Sequence, residues 1–417
     1  MSRRLIFHVD ANSAYLSWEA VRRLQHGDKL DLRTVPAVVG GNPETRHGIV
    51  LTKSIPAKKY GIVTGESVFS ARAKCPELII VPPDYYLYMQ CSKAFGDMLR
   101  EYSPLVEQYS IDEYFLDYTG MAKALGDPLA TAYRLKEQIK QELGFTVNVG
   151  ISSNKFLAKM GAELKKPDMV HTLFPEEMPY KMWPLPVEKL FGVGRATAPK
   201  LKERGILTIG DLASADPRHL KLFLKSYGYL LWNFANGRDE SPVRPNRRVL
   251  IKGIGNSATI PFDVTDRQTA RLVLLSLVEN VGARLRRAEY LAGLVSVSIR
   301  NNKFYSYSHQ RKLSTPTDST NKIHETACRL FNEIWHQEPI RHLGVRVAEL
   351  CTNSLLQTNI FEENIEKQRA MDRAVDEIRS RYGLKSVMRA SFLHSGLNCV
   401  AGGTVTEEEY PVMSSLL

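Results

Sequence analysis

The chain has 417 residues, 43% hydrophobic and 24% charged, with 56 Lys and Arg against 45 Asp and Glu and a formal charge of +11. That balance excludes a disordered or fibrous polypeptide, and the length suggests about two to four domains. No run of about 18 apolar residues occurs, and Met1-Ser2-Arg3-Arg4 leads directly into a strand-like segment, so neither a membrane span nor a signal peptide is expected and the expected location is the cytoplasm.

Leu5-Ile6-Phe7-His8-Val9-Asp10 is a β-favouring apolar run ending in a carboxylate, the pattern of a buried strand with an acid at its C-terminal edge. Residues 36–41 and 48–52 read as two short strands around a polar turn, and residues 106–117 as two strand halves around a polar centre. A helix over 129–143, a strand over 145–151 and a helix through Lys165 follow. Strand, helix, strand pair, helix, strand is the order of a split β-α-β layer, so an α/β (α+β) multidomain fold is expected. Pro175, Pro179, Pro184 and Pro186 then interrupt regular structure. Residues 190–212 read as two short helices around Gly192-Val193-Gly194, and residues 220–237 as one aromatic-rich helix. Residues 241–248 have the proline, polar and basic content of an interdomain linker. A new α/β unit follows, with a helix over 266–290, a strand over 294–300, a helix over 321–335 and a strand over 343–350. Residues 365–382 read as one amphipathic helix.

The five cysteines are odd in number, scattered and never spaced C-x-x-C, which argues against both a disulfide framework and a zinc cluster. The basic surplus is local. Residues 1–180 carry 22 basic and 21 acidic side chains, residues 181–250 carry 13 and 6, residues 251–350 carry 14 and 9, and residues 351–417 carry 7 and 9.

Asp10 and the pair Asp112-Glu113 lie at strand ends. If those strands are neighbours, three carboxylates converge, and hard oxygen donors without His or Cys suit Mg²⁺ or Mn²⁺; on spacing alone the same acids also fit exposed turns. Lys58-Lys59 and Lys165-Lys166 offer point charges suited to phosphates, though single lysines also serve as solvated helix faces. Gly192-Val193-Gly194-Arg195, followed by Lys200, Lys202 and Arg204, offers backbone amides and cations to a nucleic-acid phosphate. Arg284, Arg286, Arg287, Arg300, Lys303, Tyr305, Tyr307, Arg311 and Lys312 mix cations with hydroxyl donors, a composition that fits either a nucleic-acid backbone or a solvated face.

Together these blocks resemble the Y-family, or translesion, DNA polymerases, with similarity from residue 1 to about 350. The resemblance rests on Ser110-Ile111-Asp112-Glu113, on His8-Val9-Asp10-Ala11-Asn12-Ser13-Ala14-Tyr15, on residues 149–159 with Lys165-Lys166-Pro167, and on the Gly192 to Gly194 turn of a helix-hairpin-helix. It implies a right hand: palm at 1–13 and 84–173, fingers at 14–83, thumb at 174–240, a basic linker at 241–249, a little finger at 250–350 and a tail at 351–417. By position, Asp10, Asp112, Glu113 and the Ala11 carbonyl would hold two Mg²⁺ ions, with Mn²⁺ able to substitute, while Asn12, Ser13, Ala14, Tyr15, Thr52, Lys58 and Lys166 would bind a deoxynucleoside triphosphate. By the same resemblance Tyr15 falls at the family's steric-gate position, where a ring would reject ribonucleotides; from the residues alone it also fits an ordinary packed aromatic. Gly192, Gly194, Arg195, Arg247, Arg248, Arg300, Lys303 and Arg311 would grip primer-template DNA without reading its sequence. Gln357-Thr358-Asn359-Ile360-Phe361 resembles the peptide that docks bacterial polymerases on a sliding clamp, through Gln357, Ile360 and Phe361.

The implied protein is a monomeric, nucleoid-associated, error-prone polymerase without proofreading. Two rival classes share its carboxylates and basic segments, a structure-selective metal-dependent nuclease and a non-catalytic DNA-binding scaffold. One departure bears on the nucleotide: many relatives read Tyr-Glu-Ala-Arg where this chain has Ile55-Pro56-Ala57-Lys58, so a phosphate-contacting tyrosine is missing and lysine replaces a bidentate arginine.

Overall fold

The computed structural model of the protein describes residues 4–42, 46, 48–245, 251–352, 365–397 and 399–400. These fall into two compact units, the first with residues 4–41 and 49–245, the second with residues 42, 46, 48, 251–352, 365–397 and 399–400.

The first unit opens with β1 (Ile6–Ala11), α1 (Ala14–Gln25), β2 (Ala37–Gly40), β3 (Val50–Lys53), α2 (Ile55–Lys59), α3 (Val68–Lys74) and β4 (Ile79–Val81). It continues through α4 (Tyr85–Arg100), β5 (Val106–Gln108), β6 (Glu113–Asp117), α5 (Ala122–Leu125), α6 (Pro128–Gln138), β7 (Val147–Ser152), α7 (Lys155–Glu163) and β8 (Val170–Thr172). A five-stranded sheet has the order β5-β6-β1-β7-β8, and a separate three-stranded sheet the order β3-β2-β4. In the large sheet β1 runs antiparallel to both neighbours, and only β7 and β8 are parallel.

Alternation along β1 sorts its side chains. Phe7, Val9 and Ala11 join the apolar core made with Tyr88, Phe95 and Leu99 of α4 and Leu135 of α6. Ile6, His8 and Asp10 take the opposite face, where Ile6 packs with Phe115 of β6 and Ala158 of α7. Asn154 caps α7 by accepting from the Leu157 amide at 2.8 Å. The helix then lies so close to β7 that a Cβ on Gly150 would come within 1.9 Å of the Ala158 carbonyl oxygen.

Five helices follow the prolines or lie among them: α8 (Met178–Lys181), α9 (Thr197–Lys202), α10 (Ile209–Ser214), α11 (Pro217–Leu224) and α12 (Ser226–Ala235). The Gly192 to Gly194 turn precedes α9 and follows a short 3₁₀ turn at Val187–Lys189, rather than joining two helices. The single helix expected over 220–237 is broken at Lys225, whose φ of 55° interrupts the ladder. The chain doubles back there, with α12 so near α11 that a Cβ on Gly228 would lie 2.6 Å from the Leu220 carbonyl oxygen. The expected helix over 129–143 is α6 followed by a π turn at Ile139–Leu143.

The start of the predicted linker is tied to the first unit. Val243 is buried with Ile6, Tyr109, Phe115 and Ala158, the Arg244 amide donates to Glu107 Oε2 at 2.9 Å, and Arg4 donates to the Ser241 carbonyl at 2.5 Å. Arg247 and Arg248 lie outside the described residues.

The second unit contains β9 (Gly253–Val264), α13 (Arg267–Arg287), β10 (Tyr290–Asn301), β11 (Ser306–Thr317), α14 (Thr320–Ile334), β12 (Ile340–Thr352) and α15 (Ile365–Tyr382). Its antiparallel sheet has the order β11-β10-β12-β9, and α13 and α14 cover one face through Leu274, Leu277, Val281, Ile323 and Phe331. Edge strand β11 has no counterpart among the predicted elements, because its residues are mostly polar and exposed and give no apolar alternation. The C-terminal helix α15 appears with the predicted bounds and is bonded to this unit: Arg286 of α13 pairs with Asp376 at 2.6 Å, Arg369 with Asp318 at 2.8 Å, and Arg379 with Glu279 at 2.5 Å.

The close approach of β7 and α7 gives a test. Gly150→Ala cannot be relieved by rotating a side chain, since the nearest atoms are backbone, and it should destabilise the first unit by about 3 kcal/mol or more. Denaturant unfolding of wild type and variant measures this, with Gly194→Ala, where a Cβ meets nothing within 4 Å, as the neutral comparison.

Candidate active site

Asp10 and Glu113 are direct partners across β1 and β6, so their side chains leave the sheet on the same face. Asp10 is only 6% exposed. Two like charges so placed require cations, and α7 with the turn after it supplies them. Lys159 Nζ lies 2.7 Å from Glu113 Oε1, and Lys166 Nζ lies 2.8 Å from Asp10 Oδ2. Lys166 also reaches Glu163 Oε1 at 2.5 Å. Lys155, Lys159 and Glu163 are spaced i, i+4 and i+8 and so share one stripe of α7.

The turn carrying Lys166 is fixed from below. Asn148 on β7, fully buried and opposite Asp10 in the register, donates to the carbonyls of Ala162 at 2.9 Å and Lys165 at 2.7 Å. The Lys159 ammonium also lies over the rings of Tyr109 at 5.0 Å and Phe191 at 5.2 Å, which orients it toward Glu113. One turn earlier, Lys155 is buried with Glu107, at 3.0 and 2.9 Å from its two carboxylate oxygens.

Burial pushes the Asp10 carboxyl up to about 8, against the opposing pull of the Lys166 ammonium. For Lys166 burial works downward, but Asp10 and Glu163 outweigh it and raise the ammonium above its ordinary range. His8 is fully buried, and burial, reinforced by Lys159, Lys166 and Lys155, holds it well below its usual value and therefore neutral. Its Nε2 lies 4.0 Å from Glu113 Oε2, and neither ring nitrogen has a hydrogen-bond partner among the described residues.

Among the described residues, one ligand atom each from Asp10, Glu113 and Glu163 lies within 4.8 Å of the others. An all-oxygen set of this kind fits a hard divalent cation. Asp112 stands beside the trio with its carboxylate accepting from Ser110 Oγ at 2.6 Å, while its carbonyl accepts from the Ala11 amide at 2.9 Å. The third carboxylate of the trio is thus Glu163, which the sequence motifs did not single out.

The remaining predicted positions are distributed around this cluster. The Asn12 amide donates to the Thr146 carbonyl at 2.9 Å and is engaged within the fold. Ser13, exposed and left-handed with φ 49°, turns the chain into α1, whose first amides at Ala14 and Tyr15 form a helix N-terminus. The half-buried Tyr15 ring stacks on Tyr88 at 4.4 Å and meets the edge of Tyr85 at 6.2 Å. Thr52 and the exposed Lys58 belong to the three-stranded sheet and the helix after it. Lys53, between them, is lowered by burial first and then by the charge of Lys58, which places two ammonium groups near one another.

Gly194 and Arg195 are exposed and Gly192 is half-buried. In the second unit the pleat separates two residues predicted to share a face. Arg300 stands opposite Ser306 and His342 on the sheet face away from the helices, whereas Arg311 is opposite Val295 and pairs with Glu333 of α14 at 2.7 Å. Lys303 is exposed on the turn before β11. Arg286, also grouped with the cationic face, is instead buried against Asp372 and Asp376 of α15. Gln357, Ile360 and Phe361 lie outside the described residues.

Residues 9–163 match the impB/mucB/samB family, residues 175–206 the HHH motif of that family, and residues 251–360 its C-terminal domain. DNA polymerase IV of Clostridium acetobutylicum is 46% identical over 391 residues, covering 94% of this chain and 98% of that protein. DNA polymerase IV of Acetivibrio thermocellus is 39% identical, covering 95% and 99%, and DNA polymerase IV 2 of Bacillus subtilis is 36% identical, covering 94% and 95%. A solved Y-family DNA polymerase chimera shares the fold with a TM-score of 0.70 at 23% identity, covering 84% of this chain and all of that one. The chain belongs to the Y-family DNA polymerases, in the impB/mucB/samB group.

The Lys155–Glu107 pair supports the helix that carries the site cations. Lys155→Met leaves a buried carboxylate without this cation and should lower stability by about 3 to 5 kcal/mol. The double variant Lys155→Met/Glu107→Gln should recover more than half of that loss in urea unfolding.

Proposed function

We propose that this Y-family member copies a DNA template, including damaged template, by adding deoxynucleotides to a primer 3′-hydroxyl. The observation that carries this reading is the pairing of Asp10 with Glu113 across β1 and β6, with Lys159 and Lys166 against their carboxylates. The curated relatives over nearly their whole length are named as DNA polymerases IV.

In this assignment Asp10, Asp112, Glu113 and the Ala11 carbonyl hold divalent ions, with Mg²⁺ the favoured species and Mn²⁺ a substitute. When bound, such ions polarise the attacking hydroxyl and offset charge on the entering and leaving oxygens. The protein's own groups do the rest. Ser13 and Ala14 present amides at a helix N-terminus, which attracts phosphate oxygens. Lys58 and Lys166 supply point charges to the triphosphate, and Thr52 a hydroxyl. Tyr15, backed by Tyr88, walls the sugar side of the bound nucleotide and excludes a 2′-hydroxyl. A nuclease would have no use for these last groups, and a scaffold none for the carboxylate pair.

In the same assignment the five-stranded sheet is the palm and the three-stranded sheet lies in the fingers. Residues 174–240 form the thumb, and the unit after residue 250 is the little finger. Primer-template DNA contacts the Gly192 to Arg195 turn and the open sheet face with Arg300. The segment from Gln357 to Phe361 docks on a sliding clamp, and the enzyme works as a monomer at the nucleoid.

Primer extension tests the site. Asp112→Ala and Glu113→Ala should each lower kcat/KM by about a thousandfold, corresponding to several kcal/mol of lost charge stabilisation, and activity persisting in either would overturn the assignment of that residue. Tyr15→Ala should keep deoxynucleotide incorporation and raise ribonucleotide incorporation by about tenfold or more, by removing a steric clash of a few kcal/mol. Unchanged sugar discrimination would remove Tyr15 from the gate.

A further inference from the structure

Lys166 stands where a bound cation would be needed. Its ammonium is 2.8 Å from Asp10 and 2.5 Å from Glu163, two of the three carboxylates whose oxygens gather within 4.8 Å. The third, Glu113, has its own ammonium from Lys159 at 2.7 Å. Beneath them His8 is fully buried, with neither ring nitrogen hydrogen-bonded among the described residues and Nε2 4.0 Å from Glu113 Oε2. The carboxylate cluster is thus neutralised in part by a lysine on a turn that Asn148 anchors.

We propose that Lys166 acts as a placeholder cation: it occupies Asp10 and Glu163 before substrate arrives and moves to the triphosphate as the divalent ion takes the carboxylates. This rests on the polymerase reading above and extends it, because it makes cation binding and nucleotide binding a coupled exchange. A triphosphate offers Lys166 new oxygen acceptors, and the released Asp10 carboxylate becomes available to the ion that accompanies the nucleotide. The competition is electrostatic. A cation within hydrogen-bonding distance changes a carboxylate's affinity for another positive charge by about tenfold or more. Lys166 therefore keeps the free protein from loading a divalent ion in the absence of substrate, and Glu163 provides its second hold.

The role separates from simple phosphate binding because the two ligands respond with opposite signs. Mn²⁺ binding to the full-length protein, without DNA or nucleotide, is followed by electron paramagnetic resonance of free Mn²⁺. Lys166→Met should bind Mn²⁺ about tenfold more tightly than wild type while its deoxynucleotide KM rises. Lys166→Gln serves as a second neutral variant and should behave alike. Lys166→Arg, which keeps the charge, should stay near wild type in Mn²⁺ affinity. Unchanged or weaker Mn²⁺ binding by both neutral variants overturns the placeholder, as does equal tightening in Lys166→Arg. If the wild type extends primers but the neutral variants bind Mn²⁺ no more tightly, the placeholder falls and the polymerase reading stands. If no primer is extended while the neutral variants bind Mn²⁺ more tightly, the polymerase reading falls and the charge exchange at Asp10 stands.

Discussion

The organising constraint of the first unit is that Asp10 and Glu113 are brought together on one face of a sheet and largely withdrawn from water. Carboxylates so placed repel one another and lose hydration, and only nearby cations or protons make the arrangement tolerable. The fold meets this by laying α7 across the same face, so that Lys155, Lys159 and Lys166 arrive in sequence along the sheet. Lys155 is spent on Glu107, and the other two face Glu113 and Asp10. The helix can come that near only because β7 has glycine at 150, where any side chain would meet the backbone of α7. A backbone clearance thereby sets the charge geometry of the site.

Part of this was legible in the sequence because it is local. The run from Leu5 to Asp10, the hairpin centred on Asp112 and the boundaries of α15 follow from periodicity and turn residues within a dozen positions. The charge pairs are not local. Glu107 and Lys155 are 48 residues apart, and Asp10 and Lys166 are 156 apart. Nothing in either segment marks its partner. Glu163 escaped notice for another reason: on a helix buried along most of its length, an acid near the C-terminal end looks like an ordinary solvated residue. The spacing of Lys155, Lys159 and Glu163 was the one available signal, and it becomes meaningful only once α7 is known to cross the carboxylate face. The break at Lys225 carried even less signal, since a lysine in the left-handed region is held there by tertiary packing, and glycine would have been the local clue.

The second unit shows how a pleat redistributes charge that looks uniform along the chain. Arg300 and Arg311 are both cations near the same hairpin, yet one belongs to the open face and the other to the face carrying α14, because residues of opposite parity leave a strand on opposite sides. The same happens with Arg286, which α15 removes from the surface through Asp372 and Asp376. Glu279 is similarly held by Arg379 and Arg389, and these charges keep its carboxyl below the usual range although burial acts in the other direction. The segment after residue 365 is thus an ionic brace of the second unit, and its near-neutral composition reflects charges matched to partners on α13 and before α14.

That redistribution refines what a net basic charge means here. In residues 1–180 the cations nearly equal the acids in number, 22 to 21, and the structure shows several of them committed to carboxylates inside the fold. In residues 251–350 the excess is 14 to 9; Glu333 meets Arg311, Glu279 and Asp318 meet Arg379 and Arg369 of the C-terminal segment, and Glu349 pairs with Lys312 at 3.0 Å. The sheet face away from the helices carries Arg300 and Arg346 among Ser296, Ser298, Ser308 and Gly344 in the register. Small residues between cations let a phosphate backbone approach the strands without steric selection of bases. Affinity from such a face comes mainly from release of counterions and has little dependence on sequence. In the reading proposed above, such a face would let the enzyme hold a template without selecting its sequence.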